Sequence, residues 1–95
     1  MSDLVLVECK LRPITLRDLS QTLGYARVAL PWAAYLFSQG GVSSLVQALL
    51  TTYGRWDILD YYHQHGHQPR RLTLARWDAG THAPDAAWVL PPGAL

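Results

Sequence analysis

LVLVECK, residues 4–10, is an apolar run that ends in a carboxylate and an ammonium group. The unbroken run of leucine and valine predicts a strand that is buried on both faces, as is typical of a central strand. Glu8 is the only glutamate and Lys10 the only lysine in the chain. Because side chains two positions apart in a strand share a face, the two groups should lie side by side. They would then stand at the carboxyl end of the strand, where α/β sheets tend to hold ligands.

Length and composition indicate one small globular domain. A chain of 95 residues buries roughly 60–65% of the surface that its unfolded form exposes. Hydrophobic residues make up 49% of it, which excludes a disordered chain. The net charge of +1 gives no polyanion-binding signal by itself. The single cysteine, Cys9, excludes an internal disulfide. The sequence also has no signal-peptide pattern and no apolar run of about 18 residues. Together these features predict a cytoplasmic protein without a membrane span.

The segment after the first strand predicts a helix and then a second strand. Thr15, followed three residues later by Asp18, is a capping signature for a helix over residues 16–29. One apolar stripe of this helix should pack on the sheet, and its members are Leu16, Leu19, Leu23, Ala26 and Leu30. Residues 31–38 predict a second buried strand. Strand, helix and strand in about thirty residues form a right-handed crossover with parallel strands.

The remaining segments predict two further helices and one more strand. Ser43 or Ser44 should cap a helix that ends at Gly54, and Asp57 should start a short one. Residues 70–77 alternate in polarity, which predicts a third strand near a sheet edge.

The predicted organisation is one α/β domain and a tail. The domain, residues 1–78, has a small sheet with a parallel β-α-β crossover flanked by helices. Frequent glycine and proline predict that residues 79–95 are irregular. Because this Pro- and Ala-rich tail also carries an apolar run, it should pack across the domain or onto another chain.

Two motifs on these elements resemble a known nuclease superfamily. Glu8-Cys9-Lys10, at the end of a hydrophobic strand, resembles the E-x-K half of the PD-(D/E)XK signature. Gln21-Thr22-Leu23-Gly24-Tyr25, on the following helix, resembles the Q-x-x-x-Y element of its RecB-like branch. The order and spacing of the two motifs agree with that branch. The resemblance covers residues 4 to about 38 and implies the second half of a minimal restriction-endonuclease-like core.

The resemblance implies a metal-dependent nuclease that hydrolyses DNA phosphodiesters. Glu8 would hold Mg²⁺ or Mn²⁺ together with the backbone carbonyl of Cys9, since hard cations prefer oxygen ligands. Lys10 would sit beside the attacking water or stabilise charge on the phosphate. Gln21 and Tyr25 would orient the metal shell or the nucleic-acid backbone.

The chain departs from the family pattern upstream of Glu8. The family places an acidic metal ligand on a preceding hairpin strand, after an amino-terminal helix. Asp3 is the sole carboxylate before Glu8, and their offset in a strand spans roughly 16 Å and puts the side chains on opposite faces. Either a second chain supplies the missing ligand, or the domain is a trimmed or decayed relative that no longer cuts. An open strand edge there favours a homodimer or a partner subunit.

The residues alone leave three functions open. The domain cuts DNA, or it is an inactive remnant that binds nucleic acid or serves in protein interaction and oligomerisation. In the third case it is an unrelated assembly protein, and Glu8 and Lys10 form an exposed ion pair worth under about 1 kcal/mol. Gln21 and Tyr25 would then belong to a solvated helix face.

Two further sets of residues could bind ligands. His63, His65 and His67 alternate in a predicted turn and could hold a transition metal, but no carboxylate is near them in sequence. A phosphate track could be lined by Arg12, Arg17, Arg27, Arg55, Arg70 and Arg71. Gly66 and Pro69 predict a flexible turn, which disfavours the metal site, and a net charge near zero disfavours the phosphate track.

Overall fold

The computed structural model describes residues 3–64, 66 and 68–95. It is a small α/β domain with a mixed four-stranded sheet and two helices. Its helices and strands, in chain order, are β1 (Val5–Lys10), α1 (Leu16–Ala29), β2 (Ala33–Ser38), α2 (Ser44–Gln47), β3 (Asp60–Tyr62), β4 (Arg70–Arg71), β5 (Thr73–Asp78) and β6 (Ala83–Leu90). A π-helical turn, Ala48–Thr52, directly continues α2, and a 3-10 turn, Trp56–Leu59, precedes β3. Among the described residues, no helix is long and apolar enough to cross a membrane.

The main sheet has the strand order β1-β2-β5-β6. Both β1 and β5 run parallel to β2, and β6 runs antiparallel to β5. β3 and β4 form a separate two-stranded ribbon. The α/β class and the parallel β1-α1-β2 crossover predicted from the sequence are confirmed.

α1 has the bounds that the sequence predicts. The Thr15 hydroxyl accepts a hydrogen bond from the Asp18 N–H at 3.2 Å, and the Asp18 carboxylate accepts one from the Thr15 N–H at 2.9 Å. This reciprocal pair satisfies backbone donors at the helix start. Leu19 and Leu23 are buried as predicted, whereas Leu16 is 41% exposed because it borders an open groove beside the helix.

β1 lies at an edge of the sheet, so the prediction of a central, doubly covered strand is wrong. Leu6 packs on the main core, whereas Val5 and Val7 are 53% and 50% exposed on the other face. The buried apolar side chains of the helices pack in the main core, and the smaller cluster on the other face contains strand residues only. The apolar side chains of β1 therefore lie on two different faces, one that packs on the core and one that is exposed.

The carboxyl-terminal third of the chain corrects two further predictions. The predicted strand over residues 70–77 is divided: Arg70–Arg71 form β4 of the separate ribbon, and β5 begins at Thr73 and lies one strand in from the sheet edge, because β6 pairs with its outer side. The expectation of an irregular tail is wrong for Ala83–Leu90, which forms β6. Pro84 is compatible with this position because an edge strand has backbone donors that need no ladder partner. Val89 and Leu90 are buried, so pairing and burial outweigh the local preference for irregular structure.

Two apolar clusters lie on opposite faces of the sheet. The larger joins α1, the α2 segment, β2 and β5, and its fully buried members include Leu36, Leu50, Leu59, Leu72 and Leu74. The smaller contains Phe37, whose ring centroid lies 5.7 Å from that of Tyr35 and 5.8 Å from that of Trp77. Adjacent strand residues point to opposite faces, so Leu36 and Phe37 mark the two sides. The side of Leu36 carries the candidate site.

Candidate functional site

Glu8 and Lys10 both lie on the α1 side of β1. Exposed and half-buried residues alternate along β1, and the half-buried ones are Leu6, Glu8 and Lys10. In the register with β2, Glu8 pairs with Leu36 of the main core and Lys10 pairs with the fully buried Ser38. The structure therefore brings the acid and the amine to one face at the carboxyl end of a parallel strand.

Lys10 forms an ion pair with Asp18. Lys10 Nζ lies 3.9 Å from Asp18 Oδ1, and the Asp18 side chain is only 7% exposed. The hydrogen bond from the Thr15 N–H lowers the pKa of Asp18; burial opposes this, and the charges of Lys10 and Arg12 add to the lowering. Asp18 is therefore ionised near neutral pH and holds the Lys10 ammonium at the start of α1.

Glu8 makes no such pair. Its side chain is half-buried, and within residues 3–64, 66 and 68–95 no ion pair or hydrogen bond engages its carboxylate. The ion pair with Lys10, required if the two residues were a simple surface pair, does not form within that part of the chain. Glu8 thus remains available to a ligand.

The backbone carbonyl of Cys9 faces the open edge of the sheet. The carbonyls of Leu4 and Lys10 accept hydrogen bonds from N–H groups on the β2 side, at 2.7 and 3.3 Å. Carbonyls alternate in direction along a strand, so that of Cys9 points away from β2. The carbonyl and the Glu8 carboxylate are therefore two oxygen donors at one end of β1, while the Cys9 thiol is on the exposed face.

These donors suit a divalent cation in kind, but they are few. Mg²⁺ takes one or two carboxylates and keeps several waters, so Glu8 and the Cys9 carbonyl fit the chemistry of such a site. Over the described ranges, no group of three or more His, Cys, Asp or Glu side chains could hold a metal ion. Asp3 is exposed near the opposite end of β1. The predicted histidine site cannot be placed, since His65 and His67 lie outside the described residues.

A polar cleft of about 430 Å³ opens beside Lys10. It lies between the end of β1, the following loop and the first turns of α1, and is lined by Lys10, Arg12, Thr15, Arg17, Asp18 and Gln21. Three cationic side chains face a single carboxylate in this lining, so the cleft is positive. We call it the cationic cleft; its charge suits an anionic ligand such as a phosphate.

The two residues of the Q-x-x-x-Y motif occupy different surroundings. Gln21 lines the cationic cleft together with Lys10. Tyr25, one turn further along α1, is 59% exposed and is not part of the lining. The structure thus brings Glu8, Lys10 and Gln21 to one side of the domain and leaves Tyr25 at the helix surface.

The sequence offered Arg12 and Arg17 only as members of a possible phosphate track, and Asp18 was not named as a site residue. Arg17 and Asp18 precede Gln21 by four and three positions, so helical spacing alone places them beside it. Arg12 lies in a loop and carried no such signal. The other arginines of the predicted track lie elsewhere: Arg27 donates to the Asp60 carbonyl, Arg55 pairs with Asp57, Arg71 pairs with Asp60, and Arg70 stacks over Trp32.

The chemistry of the site is the basis for assigning a function. Comparisons of the chain with protein-family models, curated proteins and solved structures found no match. What remains is a free carboxylate and a carbonyl at the end of β1, next to a cleft lined by cations.

Proposed function

We propose that the chain is a metal-dependent nuclease-like domain, similar to the RecB-like PD-(D/E)XK nucleases, that hydrolyses DNA phosphodiesters. One observation carries the proposal: Glu8 and Lys10 share a face at the carboxyl end of a parallel strand, and the cationic cleft begins at Lys10. This end of an α/β sheet is where ligands tend to bind. The β1-α1-β2 crossover is the part of the fold that resembles a restriction-endonuclease-like core.

Each site residue then has a task in phosphodiester hydrolysis. Glu8 and the Cys9 carbonyl would hold Mg²⁺ or Mn²⁺, which as a Lewis acid polarises the phosphate and lowers the pKa of a bound water. Lys10, held by Asp18 at the mouth of the cleft, would stabilise negative charge on the phosphate. Gln21 would hydrogen-bond the DNA backbone from the α1 wall of the cleft. Tyr25 would contact the backbone from outside it.

A second protein chain has a place in this proposal. β1 is an edge strand, and the carbonyl of Cys9 points to its unpaired side. A strand from another copy or from a partner subunit would pair there and bring further side chains next to Cys9. We therefore propose a homodimer or a complex with a partner subunit as the active form.

Binding of DNA without cleavage is the second candidate function. It is favoured by the contrast between the two halves of the site. In the described residues the proposed metal site offers one carboxylate, that of Glu8, whereas the cationic cleft is lined by three cationic side chains. Cationic side chains are sufficient for binding a phosphate backbone, because affinity comes largely from neutralised phosphates.

Incubation with single-stranded and branched DNA in the presence of Mn²⁺ tests the proposal. Cleavage should occur with the wild type and be lost in Glu8→Gln and Lys10→Ala. Asp78→Asn and Arg55→Gln are the matched controls, since both sites are exposed and outside the proposed site. Binding without cleavage would support the second candidate. If the protein neither binds nor cuts DNA, both candidates are wrong.

A further inference from the structure

We propose that the cationic cleft binds a phosphate monoester at the end of a DNA strand. The proposal rests on the proposed action on DNA, and it adds the feature of the substrate that the site selects. That feature is a terminal phosphate, as opposed to a phosphodiester within the strand.

The charge of the cleft exceeds that of one internal phosphodiester. Lys10, Arg12 and Arg17 bring three positive charges, and Asp18 is the one carboxylate in the lining. Asp18, which lies 3.9 Å from Lys10, offsets one of these three charges, so two positive charges remain in excess. A phosphodiester carries a single negative charge, whereas a phosphate monoester carries about 1.5 to 2 at pH 7. The monoester therefore matches the excess charge.

Arg12 and Arg17 are available to such a ligand. Both side chains are exposed, and among the described residues no ion pair or hydrogen bond engages either guanidinium. Arg55, by contrast, is bound to Asp57 at 2.9 Å. Guanidinium groups bind phosphate oxygens through two parallel hydrogen bonds, which makes two free arginines in one cleft a suitable phosphate clamp.

The loop that carries Arg12 is fixed by its contacts with the end of β2. The buried Ser38 hydroxyl donates to the Arg12 carbonyl and accepts from the Gly40 N–H at 3.1 Å. Ile14 is fully buried, and its N–H donates to the Gly41 carbonyl at 2.9 Å. A wall held in place before the ligand arrives lowers the entropy cost of binding.

The cleft is separate from the proposed metal ligands. Glu8 is not part of the lining and lies two residues back along β1 from Lys10, or about 6.6 Å. A phosphate bound by the arginines would leave Glu8 and the open edge free for the next part of the strand. Recognition of a strand end and metal-dependent cleavage can therefore be measured independently.

Three oligonucleotides of one sequence test the proposal: one with a 5′-phosphate, one with a 3′-phosphate and one with hydroxyls at both ends. Their dissociation constants would be measured by fluorescence anisotropy with the full chain in EDTA. We expect one phosphorylated oligonucleotide to bind about fivefold more tightly than the hydroxyl-ended one. Which one does so identifies the strand end.

The variants separate the cleft from general charge effects. Arg12→Gln and Arg17→Gln should each bring the preference down to about twofold or less. Arg55→Gln removes the same charge at a site outside the cleft, so this variant should keep the end preference. Equal affinities for the three oligonucleotides would overturn the proposal, and so would a preference that survives in both cleft variants.

The cleavage assay keeps this inference distinguishable from the proposed function. Cleavage with Mn²⁺ but no end preference would remove the inference and leave the nuclease proposal standing. An end preference without cleavage would contradict the nuclease proposal and leave the inference standing. A protein that neither binds nor cuts any of the oligonucleotides contradicts both.

Discussion

The Lys10 ammonium lies 3.9 Å from the Asp18 carboxylate, which also accepts the capping hydrogen bond from the Thr15 N–H. One buried carboxylate therefore joins the end of β1 to the start of α1. This link places Lys10 beside the cationic cleft, and it ties the geometry of the site to the stability of the helix start.

The stability of the domain should depend on the ionisation of Asp18 at acid pH. The Thr15 N–H lowers the pKa of Asp18 from its ordinary value of 3.8. A lowered folded-state pKa means that the stabilisation is complete above the unfolded-state value and is lost as the pH falls through the folded one. Between about pH 5 and pH 2, the unfolding free energy of the wild type should fall more than that of Asp18→Asn.

Urea denaturation at a series of pH values measures this difference. Asp78→Asn, a change of an exposed carboxylate at the last residue of β5, is the control and should keep the wild-type pH dependence. Identical pH profiles for the wild type and Asp18→Asn would contradict the assigned role of the capping carboxylate.

Two glycine-to-alanine changes should shift stability in opposite directions. Gly24 lies within α1, and a Cβ added there meets no atom within 4 Å, so Gly24→Ala should stabilise by about 0.5 to 1 kcal/mol. A Cβ at Gly40 would lie 2.6 Å from the backbone nitrogen of Pro13, so Gly40→Ala should destabilise. Thermal unfolding followed by circular dichroism measures both, and shifts of the same sign would contradict the packing described around Gly40.

The exposed side of β1 should mediate self-association. Val7 is 50% exposed on an edge strand, and lysine at such positions is a common means of preventing edge pairing. We expect the wild type to form dimers with rising concentration in sedimentation experiments, and Val7→Lys to remain monomeric. Val28→Lys is the matched control, because Val28 is 86% exposed on α1. If the two variants associate alike, β1 is not the contact.

Gln21 should matter more for DNA binding than Tyr25. Gln21 lines the cationic cleft beside Lys10, whereas Tyr25 is 59% exposed and outside it. The loss of a hydrogen bond to a phosphate in Gln21→Ala should weaken binding about three- to tenfold. Tyr25→Phe, which removes only a solvent-facing hydroxyl, should change binding by less than about twofold. Titrations at one fixed salt concentration compare the two, and the reverse order would contradict the proposed arrangement.

The predictions that succeeded rest on interactions between residues close in sequence. The bounds of α1 follow from the reciprocal hydrogen bonds of Thr15 and Asp18, three residues apart. The shared face of Glu8 and Lys10 follows from the alternation of a strand. The part that Arg12 plays in the cleft could not be predicted, because the loop is positioned by Ser38, 26 residues further along the chain.

The sequence by itself determined the α/β class, the crossover, the helix α1 and the common side of Glu8 and Lys10, since hydrogen bonds and side-chain periodicity within a few residues specify these features. Only the tertiary structure decided that β1 is an edge strand, that residues 83–90 form β6, and that Arg12 and Arg17 meet Lys10 around one cleft. Those outcomes depend on strand pairing and burial between residues distant in the chain, where many partners have similar local preferences and packing makes the choice.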